Sequence, residues 1–137
     1  MGLVPDTSVL IDAEPRGQSV EQLVDRLRFA LGDAESAISA ITVIELTHGI
    51  FRARGAGSRE RRRVFTEDVF SGLVVHPVSL PIAQLAGQIE GEQAAKGISI
   101  AVEDLLIGAT ALHLGFDVAT LNVKHFRLIP GLKTVTL

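Results

Sequence analysis

Residues 103–121, EDLLIGATALHLGFDVATL, read as a helix, a stop and a strand. The stretch 103–114 is apolar almost all round, so its pattern predicts a helix that is buried rather than amphipathic. Gly115 is placed as its C-terminal cap. Val118–Leu121 follows as a strand. Working outward, the same alternation recurs. Leu3–Asp6 predicts a first strand, with Pro5 near its end because proline brings no ladder donor. Residues 7–13 predict a short helix, broken near Pro15 and Gly17. Ser19 and Gln22 form a capping box ahead of Val20, Leu23, Val24, Leu27 and Leu31 at helical spacing, with a stop at Gly32 and Asp33. Ala37–Ile41 is a second apolar run. Thr42 and Glu45 read as another capping box, and Ser58 as the cap of a helix reaching Phe70. Leu73–Val78 predicts a third strand. Pro81 suits the first turn of a helix that ends by Gly97, and Thr134–Leu137 predicts a fifth strand. Strands separated by helices imply a parallel sheet covered on both faces.

The chain has 137 residues, 47% of them apolar and 21% charged, enough for one domain with its own core. With no cysteine, a disulfide scaffold, a Cys-based zinc site and a thiol nucleophile are excluded. The longest nearly apolar stretch, Leu105–Phe116, is too short to span a bilayer. MGLVPDTS has neither a basic nor an apolar leader region, so no export signal and a cytoplasmic location are expected. Net charge is −3, but it is unevenly spread. Residues 52–63, RARGAGSRERRR, hold six Arg and one Glu, while the rest carries seven bases and fifteen acids. A basic arm on an acidic body implies two surfaces with different partners.

In open parallel sheets, chemistry gathers beyond the carboxyl ends of the strands. Asp6 ends the first strand, Glu45 follows the second, Asp104 opens the buried helix and Asn122 ends the fourth strand. Alone, each has an ordinary reading: Asp6 as a helix cap, Glu45 as the partner of Thr42, Asp104 as complement to a helix dipole, Asn122 as a turn residue. Together they can converge on one edge of the sheet. Carboxylates gathered in a partly dry cleft repel one another unless a cation neutralises them. Oxygen ligands without Cys favour a hard ion, Mg²⁺ or Mn²⁺, the apparatus of metal-assisted phosphodiester hydrolysis.

Four motifs carry a resemblance. Asp6-Thr7-Ser8-Val9-Leu10-Ile11-Asp12 resembles the opening motif of the PIN-domain nucleases. Ser39-Ala40-Ile41-Thr42-Val43-Ile44-Glu45-Leu46, with Gly49 after it, resembles the second. Asp104-Leu105-Leu106-Ile107-Gly108-Ala109-Thr110-Ala111 resembles the third, and Ala119-Thr120-Leu121-Asn122-Val123-Lys124-His125-Phe126 the fourth. All stand in family order, and the length is similar to that of VapC-type toxins of bacterial toxin–antitoxin pairs. The resemblance implies a three-layer α/β/α sandwich with a central, mainly parallel sheet, filling residues 1–137 as one nuclease domain. It implies a Mg²⁺- or Mn²⁺-dependent endoribonuclease leaving a 5′-phosphate and a 3′-hydroxyl. Asp6, Glu45 and Asp104 match the family's acidic metal positions, and Asn122 stands where many members have a fourth acid. It further implies a homodimer neutralised by a VapB-type antitoxin that enters the acidic cleft.

Other residues have competing readings. Arg52, Arg54, Arg61, Arg62 and Arg63 read as RNA or antitoxin contacts, or as a solvated helix face. Without Trp or Tyr, phosphate contacts rather than base stacking should carry RNA binding. Gly55-Ala56-Gly57 follows a helix, not a strand, and reads as a helix–helix turn. Asp117 should lie at the wrong end of the fourth strand, and Glu103 points away from Asp104 on its helix. Asp12, His48 and His125 read as structural. Two alternatives to the nuclease remain at this point: a PIN domain with a degenerate site that only binds, and a receiver-type signalling domain. The receiver would need a carboxylate ending the third strand, where the sequence has Ser79.

Overall fold

The computed structural model describes residues 1–32 and 34–137. The stop expected at Asp33 and the packing expected of the Leu31 side chain lie outside the described residues. The strands are β1 (Gly2–Pro5), β2 (Glu35–Ser39), β3 (Val74–His76), β4 (Asp117–Thr120) and β5 (Thr134–Thr136). The helices are α1 (Thr7–Ala13), α2 (Val20–Leu31), α3 (Ala40–Arg52), α4 (Ala56–Gly72), α5 (Leu80–Ala94), α6 (Val102–Leu114) and α7 (Val123–Phe126). Every strand pair is parallel, in the order β3-β2-β1-β4-β5.

Alternation along the central strands divides the core in two. Leu3 and Ala119 face one layer, where Val9, Leu10, Leu23, Leu27, Leu46 and Val69 of α1–α4 pack. Val4 and Val118 face the other, with Ile82, Ile89, Leu105, Ile107 and Phe126 of α5–α7. The result is the expected three-layer α/β/α sandwich. Gly2 permits close packing at the start of β1, because a Cβ there would stand 2.6 Å from the Phe116 ring and 2.7 Å from the Glu35 carbonyl.

Several local expectations hold. Ser19 and Gln22 cap α2 reciprocally, Pro81 sits in the first turn of α5, and Gly115 ends α6 in the left-handed conformation at φ 70°. Three do not. The cap of α3 is Ser39, whose hydroxyl accepts from the Ile41 N–H, rather than Thr42. The strand β2 stops earlier than its apolar pattern suggests, so the helix begins earlier and Glu45 falls in its second turn. The cap of α4 is Gly55, with no side-chain cap bond, instead of Ser58. The strand expected over 73–78 is confined to three residues, because Pro77 lacks the N–H that would extend the ladder.

Since β1 is central, the chain runs outward from it through β2 and β3, then returns to its other side with β4. The crevice beyond β1 and β4 is therefore the point where strand order reverses, the position where such sheets bind ligands.

Candidate active site

Asp6 lies at that crevice, one residue past β1. Its backbone N–H still donates to the Ala119 carbonyl at 2.9 Å, so β1 and β4 fix its position. It caps α1, as its ordinary reading requires: Oδ1 accepts from the Val9 N–H at 3.2 Å and from the Ser8 hydroxyl at 2.6 Å. Oδ2 accepts from the Thr120 hydroxyl at 2.7 Å. The carboxylate is buried, and both of its oxygens are engaged. Thr120, fully buried, also accepts from the Asn122 N–H at 2.8 Å, which sets the turn that ends β4.

Glu45 reaches the same place from α3. With the helix beginning at Ala40, Thr42 is buried beneath Glu45 and meets the Thr7 hydroxyl, which donates to Glu45 Oε1 at 2.6 Å. Burial pushes the Glu45 carboxyl above the ordinary glutamate range. The Thr7 bond opposes that shift, while Glu103, Asp104 and Asp6 add repulsion.

Asp104 comes from the first turn of α6. Burial also raises its carboxyl above the usual aspartate range, partly offset by His125 and reinforced by Asp6 and Glu103. The His125 Nδ1 stands 3.3 Å from Asp104 Oδ2. Asp6, Glu45, Asp104 and Asn122 together line one cleft of about 220 Å³, with Thr7, Ser8, Ile11 and Ile107. The four positions picked from sequence thus meet. Among the described residues, no three acid or imidazole groups yet converge tightly enough to cage an ion as they stand.

Sequence reasoning missed the hydroxyls of Thr7, Ser8 and Thr120, and it read His125 as structural although it stands beside Asp104. The signal available was position. Thr7 and Ser8 follow Asp6 directly, and Thr120 precedes Asn122 by two, the side-chain period of a strand end. Asp117 begins β4, at the far end as expected. Asp12 pairs with Arg16 at 3.0 Å, and His48 is exposed on α3.

The basic arm is divided by the turn between α3 and α4. Arg52 and Arg62 line a groove of about 270 Å³ that shares Ile11 and Glu45 with the cleft. The Arg62 guanidinium donates to the Gly49 carbonyl at 2.8 Å. Arg63 is held on an exposed face by Glu60 at 2.5 Å and Glu67 at 2.6 Å. Arg54 and Arg61 are exposed.

The PIN domain family profile matches residues 3–131. Ribonuclease VapC1 of Rickettsia felis is 31% identical over 137 residues, covering all of this chain and 97% of that protein. A crystal structure of DNA-bound VapBC from Salmonella typhimurium superposes with TM-score 0.83 at 29% identity, covering 99% of this chain and 98% of that one. VapBC2 from Rickettsia felis, bound to a promoter DNA fragment, has the same fold, with TM-score 0.85 at 23% identity over 100% of this chain and 99% of that one. The receiver alternative falls with these matches and with β3, which ends at His76. With four motifs on one cleft and a profile spanning nearly all of its length, the chain belongs to the PIN-domain family and, within it, to the VapC ribonucleases.

Proposed function

We propose that this chain is an endoribonuclease toxin dependent on Mg²⁺ or Mn²⁺, with Asp6, Glu45 and Asp104 as the ion's ligands and Asn122 at the cleft rim. One observation carries the reading. Carboxylates from the turn after β1, from α3 and from α6 share a cleft in which Glu45 and Asp104 are both pushed toward protonation by burial and by their acidic neighbours. Thr7 and His125 offset the burial and crowding of these carboxylates only in part, and the acid donors are all oxygen, which suits a hard divalent cation. When bound, such an ion supplies Lewis acidity toward water and toward a phosphate oxygen.

The chain's own residues prepare the rest. Ser8, Thr120 and the Val9 N–H orient Asp6. Thr7 orients Glu45. The Asn122 side chain offers a donor and an acceptor where a phosphate oxygen or water would lie. His125 gives Asp104 a partner that a cation would displace or share. The expected products are a 5′-phosphate and a 3′-hydroxyl.

Solved relatives include toxin–antitoxin complexes, which supports a cognate VapB-type antitoxin in the reading; a cytoplasmic site of action is part of the same proposal. A basic antitoxin side chain in the cleft would pair with the acids through charge-assisted bonds. The groove holding Arg52 and Arg62 is where an antitoxin or RNA would continue past Glu45. A homodimer is supported by Ile44 and Phe51, 63% and 70% exposed and seven residues apart on the outer face of α3. No helix among the described residues is long and apolar enough to cross a membrane.

The test is cleavage of cellular RNA by the purified protein, with Mg²⁺, Mn²⁺ or EDTA, followed by capture of 5′-phosphate ends. Cleavage that persists undiminished in EDTA would overturn the metal assignment. Light scattering checks the dimer, and a monomer at high micromolar concentration refutes it.

A further inference from the structure

Two concavities adjoin the acidic cleft. On the Glu45 side lies the groove with Arg52 and Arg62. On the Asn122 side lies a hollow of about 440 Å³ along α7, walled by Asn122, Lys124, His125 and Arg127. Asn122 belongs to both the hollow and the cleft.

Lys124 and Arg127 are exposed and three residues apart, so they are neighbours on one turn. Among the described residues neither is in an ion pair, in contrast to Arg63 and Arg16. Their backbone is nonetheless held firmly. Phe126 between them is fully buried. The Gln93 amide donates to the Leu128 carbonyl at 2.7 Å, tying the segment to α5. Ile129 packs so closely on α6 that a Cβ at Gly108 would overlap its Cδ1. Cations on a fixed support, next to a cleft that itself repels a polyanion, fit a flanking phosphate.

We propose that Lys124 and Arg127 form a phosphate subsite of the cleft, gripping the RNA backbone beside the scissile phosphate on the Asn122 side. The subsite rests on the ribonuclease reading and extends it: the strand crosses the cleft between two cationic flanks. A chain without Trp or Tyr has little stacking surface, so such contacts set both affinity and register.

The experiment is binding of a labelled, mixed-sequence single-stranded RNA oligonucleotide, followed by fluorescence anisotropy in EDTA over a series of salt concentrations. The Lys124→Ala/Arg127→Ala variant should raise Kd about tenfold. It should also flatten the slope of log K against log salt by about 1.4, from roughly 0.7 per phosphate contact on a single strand. Lys124→Arg/Arg127→Lys should restore most of the affinity. On unmodified protein, a single neutral methylphosphonate stepped along the RNA should weaken binding at one flanking position, and that position should be silent in the Ala variant. Equal Kd and slope for wild type and the Ala variant overturn the subsite. So does a variant that loses only antitoxin binding. Failure of the ribonuclease reading looks different: the RNA binds with these same dependences, but adding Mg²⁺ or Mn²⁺ releases no cut ends.

Discussion

Residues 52–63 and residues 124–127 are both basic, and they use their charge differently. The first segment is dense in arginine, yet Arg63 is held by Glu60 and Glu67 and Arg62 by the Gly49 carbonyl. The Arg63 guanidinium lowers the Glu60 carboxyl below its ordinary range, while Glu60 and Glu67 raise Arg63 above its own, as expected of partners on one exposed helix face. The second segment has only Lys124 and Arg127 as permanent cations, and among the described residues neither is in an ion pair beside Asn122. Charge density along a sequence therefore measures availability poorly. What counts is whether a cation already has a partner, and how near it lies to the site that must attract a phosphate.

The largest effect expected concerns the cleft on which both segments border. Asp104→Asn should lower divalent-dependent cleavage by about 10²–10³-fold, since it removes a charge at the reacting centre. RNA binding in EDTA should not fall, because the cationic flanks are untouched. A loss of binding matching the loss of cleavage would mean that the acids, rather than the flanks, hold RNA. Next, Thr120→Val removes the donor to Asp6 Oδ2 and the acceptor for the Asn122 N–H. Cleavage should fall about 10–100-fold, as for loss of an outer-shell partner. Stability should drop by about 1–3 kcal/mol from unsatisfied buried groups, with Thr120→Ser largely rescuing both. Unchanged rates in the valine variant would remove the positioning role.

A smaller, opposite change in stability is expected from Glu45→Gln. The folded-state pKa of Glu45 lies above its ordinary value, so its ionisation opposes folding. The penalty is absent at low pH, grows as pH rises through the glutamate range, and is complete above the raised pKa. In metal-free protein near pH 7, Glu45→Gln should therefore raise the melting temperature by about 2 °C. The gap should close on acidification. A lower melting temperature for the variant at pH 7 would show that the Thr7 bond outweighs burial and repulsion. The least effect is expected from Arg63→Ala: RNA Kd within about twofold of wild type and an unchanged salt slope. A clear fall in slope would place Arg63 in the RNA interface beside Arg52 and Arg62 and erase the contrast between the two segments.

The order of elements was readable in the sequence because glycine stops and helical periodicity mark it directly. The four site positions were readable because strand ends of a parallel sheet face one edge. What could not be read was the start of α3. Ser39 and Thr42 both suit a cap, and only the early end of β2 against β3 chooses Ser39. That shift brings Thr42 and Thr7 beneath Glu45. The hydrogen bond from Thr120 to Asp6 spans 114 positions, beyond any local pattern. His125 reaches Asp104 because α7 packs on α6 through the buried Phe126, beside Leu105 and Ile107, a tertiary contact with no periodic signature.

The central place of β1 has a consequence for synthesis. Asp6 is among the first residues made, but its second oxygen is fixed by Thr120, and β1 lacks one neighbouring strand until β4 is in place. Translation at about 5–20 residues per second leaves an interval of several seconds between the two. During it the nascent chain carries an incomplete cleft: the opening acid is present, while Asp104, Thr120 and Asn122 are still to be added. On the reading proposed above, the cleft is completed only near the end of translation, when Thr120 and Asn122 are made.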